Sequence, residues 1–446
     1  MKLRKVLSVL CGVVMVVLLG FHGAAIAQDR SAEDIVISSD RVGFPDAQNT
    51  FSLHLHVAFS QDSGVPLYAE AARDGMVNWV MEHPDWAIET RIFTNSVGSL
   101  PGLLEDVRVG RGPDCANIVP EFFPVFYENG FLQPLTDFFT AEEMDDFFPF
   151  IQRTVKLGTE DVYAYWFYTD VRVLYYRTDL VPTAPTTWDE VREFALAAEE
   201  VDPSVDGFLF NGGRWAGTWA DWISHFWSQG GVLTDQENRP IFNEGENRDY
   251  MLNVLRYMQN LVDSGASPQR VANSAAYAEF VEAASNGTVA MFMALDSQYA
   301  QMKGALSEEE FAKWAVARLP GRTADQTSTL SGGWSFGVIT EDAEKAAMCV
   351  DFLKSVYGSE FNATTGLLPP RASTYAEFEV FGTPIYQTFA DALQYGQPQP
   401  ITPYTPALSE AFQIMVGDVL TGAASPEDAL DEMAAQVQAA YESSQD

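Results

Sequence analysis

The sequence predicts an α/β fold built as two lobes, and three observations lead there. Strand-like and helix-like stretches alternate along nearly the whole chain, as they do when helices cover sheets. At 446 residues the chain is too long for one ordinary hydrophobic core. Its residues are 47% hydrophobic, and it has no low-complexity linker or block of like charge, so it can bury a sizeable core.

The N-terminus stands apart from this pattern. MKLRK is followed by the apolar run VLSVLCGVVMVVLLG and then by Ala25-Ile26-Ala27, an A-x-A site. Residues 1–27 are therefore expected to be a secretory signal peptide cleaved before Gln28, leaving a periplasmic or secreted protein. A membrane anchor is the alternative reading, but the apolar run is short of the ~20 residues a spanning helix needs. Cys11 does not read as a lipidation site, because Leu10 precedes it where a small residue is required.

The remaining elements follow in order. Residues 28–50 read as an extended polar leader. Residues 52–59 alternate at period two and predict a strand. Residues 66–83, rich in Ala and stopped by His83-Pro84, predict a helix. Residues 88–93 predict a second strand, giving the β-α-β opening of a parallel sheet. After a turn at Gly112-Pro113-Asp114, residues 115–119 form a short buried strand. Pro120 then starts an aromatic helix that ends near Asn129-Gly130, and another helix covers about 141–157.

Thr187 and Glu190 have capping-box spacing at the start of a helix. Residues 207–211 read as a strand. Trp215, Trp219, Trp222 and Phe226 recur on one helical face, which points to core packing, and Gly230-Gly231 stops that helix. Helices are expected over 246–264, 276–285, 343–356 and most of 407–442. Strands are expected over 289–293, 314–319 and 331–340.

Charge and composition exclude several functions. The formal charge is −36, and removing Lys2, Arg4 and Lys5 with the signal takes it to about −39. Such a field repels nucleic acid and anionic membrane. Cys115 and Cys349 remain after cleavage. Export permits a disulfide between them, but two buried thiols are the simpler expectation. No nucleophile elbow, zinc-protease motif, P-loop or dinucleotide fingerprint occurs in the right context, so no cofactor is expected. His54 and His56 share a strand face, but no third His or Cys lies at ligand spacing, so no metal is expected either.

Residues 165–180, YWFYTDVRVLYYRTDL, pose a question: six of sixteen are aromatic, yet Asp170 and Arg172 sit among them. A core strand would lack the charges and a solvated loop would lack the rings. The order of motifs around this stretch supplies a context. GRGPDCANIVP is followed by VLYYRTDLV with PTTWDEVREFA, then by a Trp helix ending in SQGGVLTD. SNGTVAMFM comes next, and then SGGWSFGVIT with LLPPRAS. In this order the chain resembles the extracellular solute-binding proteins of carbohydrate ABC importers, the family that includes maltose- and trehalose-binding proteins. The likeness covers nearly all of the expected mature chain.

The resemblance implies the two-lobe periplasmic binding protein fold, type II. Residues 28–167 with 319–368 would form the N-terminal lobe, and 168–318 with 369–446 the C-terminal lobe. Crossings between lobes are expected near 167–173, 315–319 and 366–371. A sugar would lie in the cleft, which accounts for a stretch carrying both kinds of residue. Its C–H faces pack on aromatic rings, and its hydroxyls seek carboxylates, amides and guanidinium groups.

Tyr168 and Asp170, two apart and on one face, are the leading candidates. Hinge packing is the alternative for Tyr168, and a salt bridge to Arg172 or Arg177 is the alternative for Asp170. The family pattern also carries over to Glu121 as a ligand carboxylate. It implies Gly332 and Gly333 as a close-approach segment, Trp334 as a stacking platform and Arg371 as a donor. A core Trp after a turn is the alternative for Trp334, and a surface Arg is the alternative for Arg371. Arg214 and Trp215 fall on the loop before the Trp helix, which the resemblance implies faces the cleft, and Gln61, at the end of the first strand, would lie at the cleft mouth. Where relatives often place a stacking Trp, this chain has Ala294-Leu295-Asp296-Ser297, which nominates Asp296 as a polar substitute.

The expected function is capture of a di- or oligosaccharide by a monomeric, non-catalytic subunit and its delivery to an ABC permease. A secreted glycan-acting hydrolase is the alternative from another class. The same fold holding a polyol or a polyamine is another.

Overall fold

The computed structural model describes residues 30–95 and 98–445; the expected signal peptide lies outside the described residues. Among the described residues, thirteen strands form three sheets. In chain order they are β1 (Val36–Ile37), β2 (Arg41–Gly43), β3 (Asn49–His56), β4 (Trp86–Phe93), β5 (Cys115–Ile118), β6 (Tyr165–Thr169) and β7 (Arg172–Arg177). These are followed by β8 (Asp206–Leu209), β9 (Val289–Leu295), β10 (Trp314–Ala317), β11 (Thr329–Leu330), β12 (Gly333–Val338) and β13 (Gly396–Gln397). The first sheet has the order β1-β2-β4-β3-β5-β12-β6, and the second β10-β7-β9-β8. The small pair β11-β13 belongs to neither.

The predicted β-α-β opening is present: β3 and β4 are parallel partners, joined through the helix Pro66–Glu82. Residues 28–50 are not simply a leader. β1 and β2 pair antiparallel and extend the edge of the first sheet through β2 against β4. Their apolar residues are too few to show periodicity, so only the pairing reveals them. The helix expected over 141–157 is two helices, Ala141–Asp145 and Pro149–Lys156. Pro149 cannot supply the N–H that a continuous helix would need there, and it opens the second helix at a position that tolerates it.

The helix Trp188–Val201 starts with the capping box its sequence announces. The Glu190 N–H donates to Thr187 Oγ1 at 3.2 Å, and the Thr187 N–H donates to Glu190 Oε2 at 3.1 Å. On the helix Ala216–Trp227, Trp219, Trp222 and Phe226 are at most 1% exposed, so this face is core. Cys115 and Cys349, expected as separate thiols, are joined in a disulfide between β5 and the helix Ala343–Val356. Both are fully buried, and the pairing depends on a packing that sequence separation does not reveal.

The aromatic stretch is two strands in two different sheets. The chain leaves the first sheet after Thr169 and enters the second at Arg172. It returns between Ala317 and Gly333. The return was expected near 315–319, but β10 still belongs to the second sheet, and the interval to β12 contains β11. The segment after the helix Ser359–Thr365 stays with first-sheet elements: Leu368 bridges Thr169, and Arg371 bridges Phe147.

Candidate functional site

The break between β6 and β7 is stitched on both sides. The Thr169 N–H donates to the Leu368 carbonyl at 3.0 Å, and Thr169 Oγ1 donates to the Gly332 carbonyl at 2.9 Å. One residue beyond Asp170, the Val171 N–H donates to Asp296 Oδ1 at 2.9 Å. The Asp296 N–H returns a bond to the Val171 carbonyl at 2.9 Å. The outgoing link therefore touches both the returning link and the end of β9.

Asp170 faces this junction. Its Oδ1 accepts from the Gly332 N–H at 3.0 Å and from Arg172 Nη1 at 3.3 Å. The salt bridge to Arg172 that competed with a ligand role is therefore formed; Arg177 instead pairs with Asp179. Arg172 also donates from Nη1 to the Leu330 carbonyl at 2.9 Å, and its Nε stands 3.4 Å from Asp221 Oδ1. Asp221 is fully buried and accepts from Asn211 Nδ2 at 3.1 Å and from the Tyr277 hydroxyl. Burial pushes its carboxyl up to about 6 against the pull of Arg172.

Asp296 is 8% exposed. Burial and then the Asp170 charge push it up to about 8, outweighing the Val171 N–H. Glu121 is also shifted up, by burial first and with a contribution from Asp170, which places it in the same electrostatic neighbourhood. Tyr168 is raised by burial and by the charges of Asp296 and Asp170. The same Asp296 charge reaches Tyr68, on the helix Pro66–Glu82, and Tyr386, on Pro384–Leu393. Carboxylates and rings from first-sheet and second-sheet elements thus converge on one region.

An aromatic patch adjoins it. Trp334, partly buried, lies 4.8 Å from the His56 ring and 5.2 Å from Phe59, and Phe59 lies 6.3 Å from Tyr168. Gly333 has φ +146°, and a Cβ there would lie 2.1 Å from the Tyr168 carbonyl. It is needed for the irregular register between β12 and β6, which answers to a contact within the chain. A Cβ on Gly332 would meet Asp170 Oδ2 at 3.3 Å.

Trp215 joins the group from its flank, edge-on to Tyr277 at 5.0 Å. Arg214 is 62% exposed and pairs with Glu410 at 3.6 Å, away from the buried carboxylates. Gln61 is 4% exposed and donates to the Ser38 carbonyl at 2.8 Å. Its amide thus secures the N-terminal hairpin, which sequence reasoning had treated as a leader. Arg371 faces a different cavity, where it approaches Glu143.

Four residues of the cluster were not anticipated: Tyr68, Asp221, Tyr277 and Tyr386. Asp221 was detectable, as a lone carboxylate between Trp219 and Trp222 on a helix face that is otherwise core. The three tyrosines stand on amphipathic helices or loops with no local signal. His54 stacks on Phe93 at 4.2 Å, and burial lowers it to about 4. Among the described residues no three His, Cys, Asp or Glu are grouped to hold a metal.

The polar and aromatic groups gather where the chain crosses between two sheets, and this architecture is the two-lobe periplasmic binding protein fold. The chain belongs to the bacterial extracellular solute-binding proteins, whose family model matches residues 94–363. It is 27% identical over 330 residues to a probable ABC transporter-binding protein of Deinococcus radiodurans, covering 69% of this chain and 75% of that one. Its fold is similar to that of the sugar-binding protein MalE from Xanthomonas citri. The TM-score is 0.74 at 19% identity, over 88% of this chain and 97% of that one. It is also similar to the cyclic alpha-maltosyl-1,6-maltose binding protein from Arthrobacter globiformis. There the TM-score is 0.72 at 19% identity, over 88% and 98% of the two chains.

Proposed function

We propose that this protein is the ligand-capturing subunit of an ABC importer, holding a di- or oligosaccharide between its lobes and presenting it to a membrane permease. The observation that carries the reading is the junction at Asp170. A carboxylate fixed by the Gly332 N–H and Arg172 stands beside Tyr168 and one strand away from Trp334. Rings that pack on sugar C–H faces and carboxylates that accept from sugar hydroxyls are thereby placed at one crossing. The sugar-binding relatives of the same fold support it, as does family membership. Gln61, Arg214 and Arg371 have other partners and are left out of the proposed contact set. Glu121, Tyr168, Asp170, Trp215, Asp296 and Trp334 remain, with Gly332 orienting Asp170.

The test is a thermal-shift screen of the exported protein with mono-, di- and trisaccharides, polyols and polyamines. A bound ligand stabilises by about 2.7 kcal/mol at a hundredfold excess over Kd. Stabilisation by an oligosaccharide recovered intact after long incubation supports the proposal. Cleavage of that oligosaccharide would favour a hydrolase, and a response to polyols or polyamines alone would replace the ligand class.

A further inference from the structure

Arg371 belongs to a cavity of about 240 Å³ that is separate from the Asp170 cluster, lined also by Glu143, Lys354, Tyr165, Tyr357 and Asn362. Lys354 Nζ donates to Glu143 Oε1 at 2.9 Å and to the Phe138 carbonyl at 2.5 Å. Arg371 Nη2 stands 3.5 Å from the same Glu143 oxygen. Two cations therefore share one carboxylate. Among the ion pairs of the described residues, no other carboxylate serves two basic side chains. This occurs in a chain with 62 acidic and 26 basic residues, where composition alone would supply each cation with a carboxylate of its own.

Lys354 is held by these two bonds and lies 4.5 Å from the centre of the Phe139 ring, whereas the Arg371 donors are held but not used up. The Arg371 side chain is 24% exposed, and its guanidinium lies 5.0 Å from the centre of the Phe147 ring. That contact and the long approach to Glu143 leave most of its five N–H groups available. The walls are fixed from behind. The Tyr165 hydroxyl donates to the Tyr357 carbonyl at 3.1 Å, and Asn362 Nδ2 donates to the Phe167 carbonyl at 2.9 Å. Tyr165, Tyr357 and Asn362 are all buried.

We propose that this cavity is a second ligand site, taking a small oxyanion between Arg371 and Lys354. The guanidinium fork matches two oxygens of a carboxylate, phosphate or sulfate, and the ammonium adds a point charge. The anion restores the one-to-one balance that Glu143 leaves short. The cavity is below the usual size of small-molecule pockets, which suits a single oxyanion group. This site is independent of the sugar reading and stands or falls without it.

The experiment is calorimetric titration of sugar-free protein with phosphate, sulfate, acetate and citrate at constant ionic strength, with chloride as reference. Melting temperatures are recorded alongside for wild type, Arg371→Gln and Lys354→Gln. The expected result is saturable binding of at least one oxyanion, weakened tenfold or more by either substitution. Whichever anion binds best separates a phosphate or sulfate ligand from a carboxylate one. Phosphate and sulfate also stabilise proteins by exclusion from their surface, so a melting shift equal in all three proteins counts against the site. No saturable binding, or equal affinity in the folded variants, would overturn it. If Arg371→Gln does not fold, Lys354→Gln gives the deciding comparison.

Discussion

Arg172 Nη1 lies 3.3 Å from Asp170 Oδ1, and the chain changes sheets between these two residues. The pair therefore holds the crossing itself, while Arg172 also faces the buried Asp221.

Asp170→Asn removes one of the two charges facing Arg172 and keeps the side-chain volume. The Gly332 N–H retains an acceptor, so the fold should survive at a cost of about 1–3 kcal/mol. Ligand affinity should fall tenfold or more. Chemical denaturation and titration on the same preparation check both, and unchanged affinity would remove Asp170 from the contact set.

Trp334→Ala separates stacking from packing. A ring that stacks on the ligand should cost about 1–3 kcal/mol of binding on removal, about 5- to 150-fold in Kd. A core ring should instead cost about 3–5 kcal/mol of stability. Because Trp334 is only partly buried, against His56 and Phe59, the larger effect is expected on Kd. A strongly destabilised mutant with near-normal affinity would reverse the assignment.

Asp296 should leave a signature in stability against pH. Its folded pKa, about 8, lies above the ordinary carboxyl value of 3.8, so the native state binds the extra proton between these values. Its contribution to stability therefore rises as pH falls from 8 toward 4. His54 and His225 act in the opposite sense: held down at about 4 and about 3, they favour unfolding as pH falls below 6.5. Asp170, Arg172, Tyr68, Tyr168, Tyr175, Tyr375 and Tyr386 are the charged or titratable neighbours of Asp296. Asp296→Asn should raise the melting temperature at pH 9 and have little effect at pH 5. The reverse order would show that Asp296 is ionised throughout.

Gly333→Ala should destabilise far more than Gly332→Ala. The first drives a methyl to 2.1 Å from the Tyr168 carbonyl at a φ of +146°, whereas the second meets only the Asp170 carboxylate at 3.3 Å. A difference of about 1–3 kcal/mol is expected from backbone strain alone. Paired urea titrations measure it, and similar midpoints would mean that β12 re-registers freely.

Much of the fold is legible because periodicity and capping are local. Thr187 with Glu190 announces a helix start, and the Trp219-Trp222-Phe226 face announces core, with no knowledge of the rest of the chain. The division of residues 165–180 between two sheets is not local. Tyr165 to Arg177 carries rings on both sides of Asp170 with no Gly or Pro to divide them, and only the partners, β12 on one side and β9 on the other, show that it is two strands. The site is legible to the same extent. Tyr168, Asp170 and Asp296 meet because they flank that crossing. Gln61 and Arg371 have the right chemistry but turn to nearer partners, Ser38 and Glu143, which lie 23 and 228 positions away and leave no mark on the local pattern.

The Cys115–Cys349 bond spans 234 positions, and every strand of the second sheet lies within that interval. The second sheet is thus carried on a covalent ring whose clasp is set in the first lobe, with residues 30–114 and 350–445 as its two tails. A single cut by a protease anywhere on the ring opens it without dividing the molecule. The pieces come apart only when the clasp is reduced as well, so a nicked chain runs as one species until thiol is added.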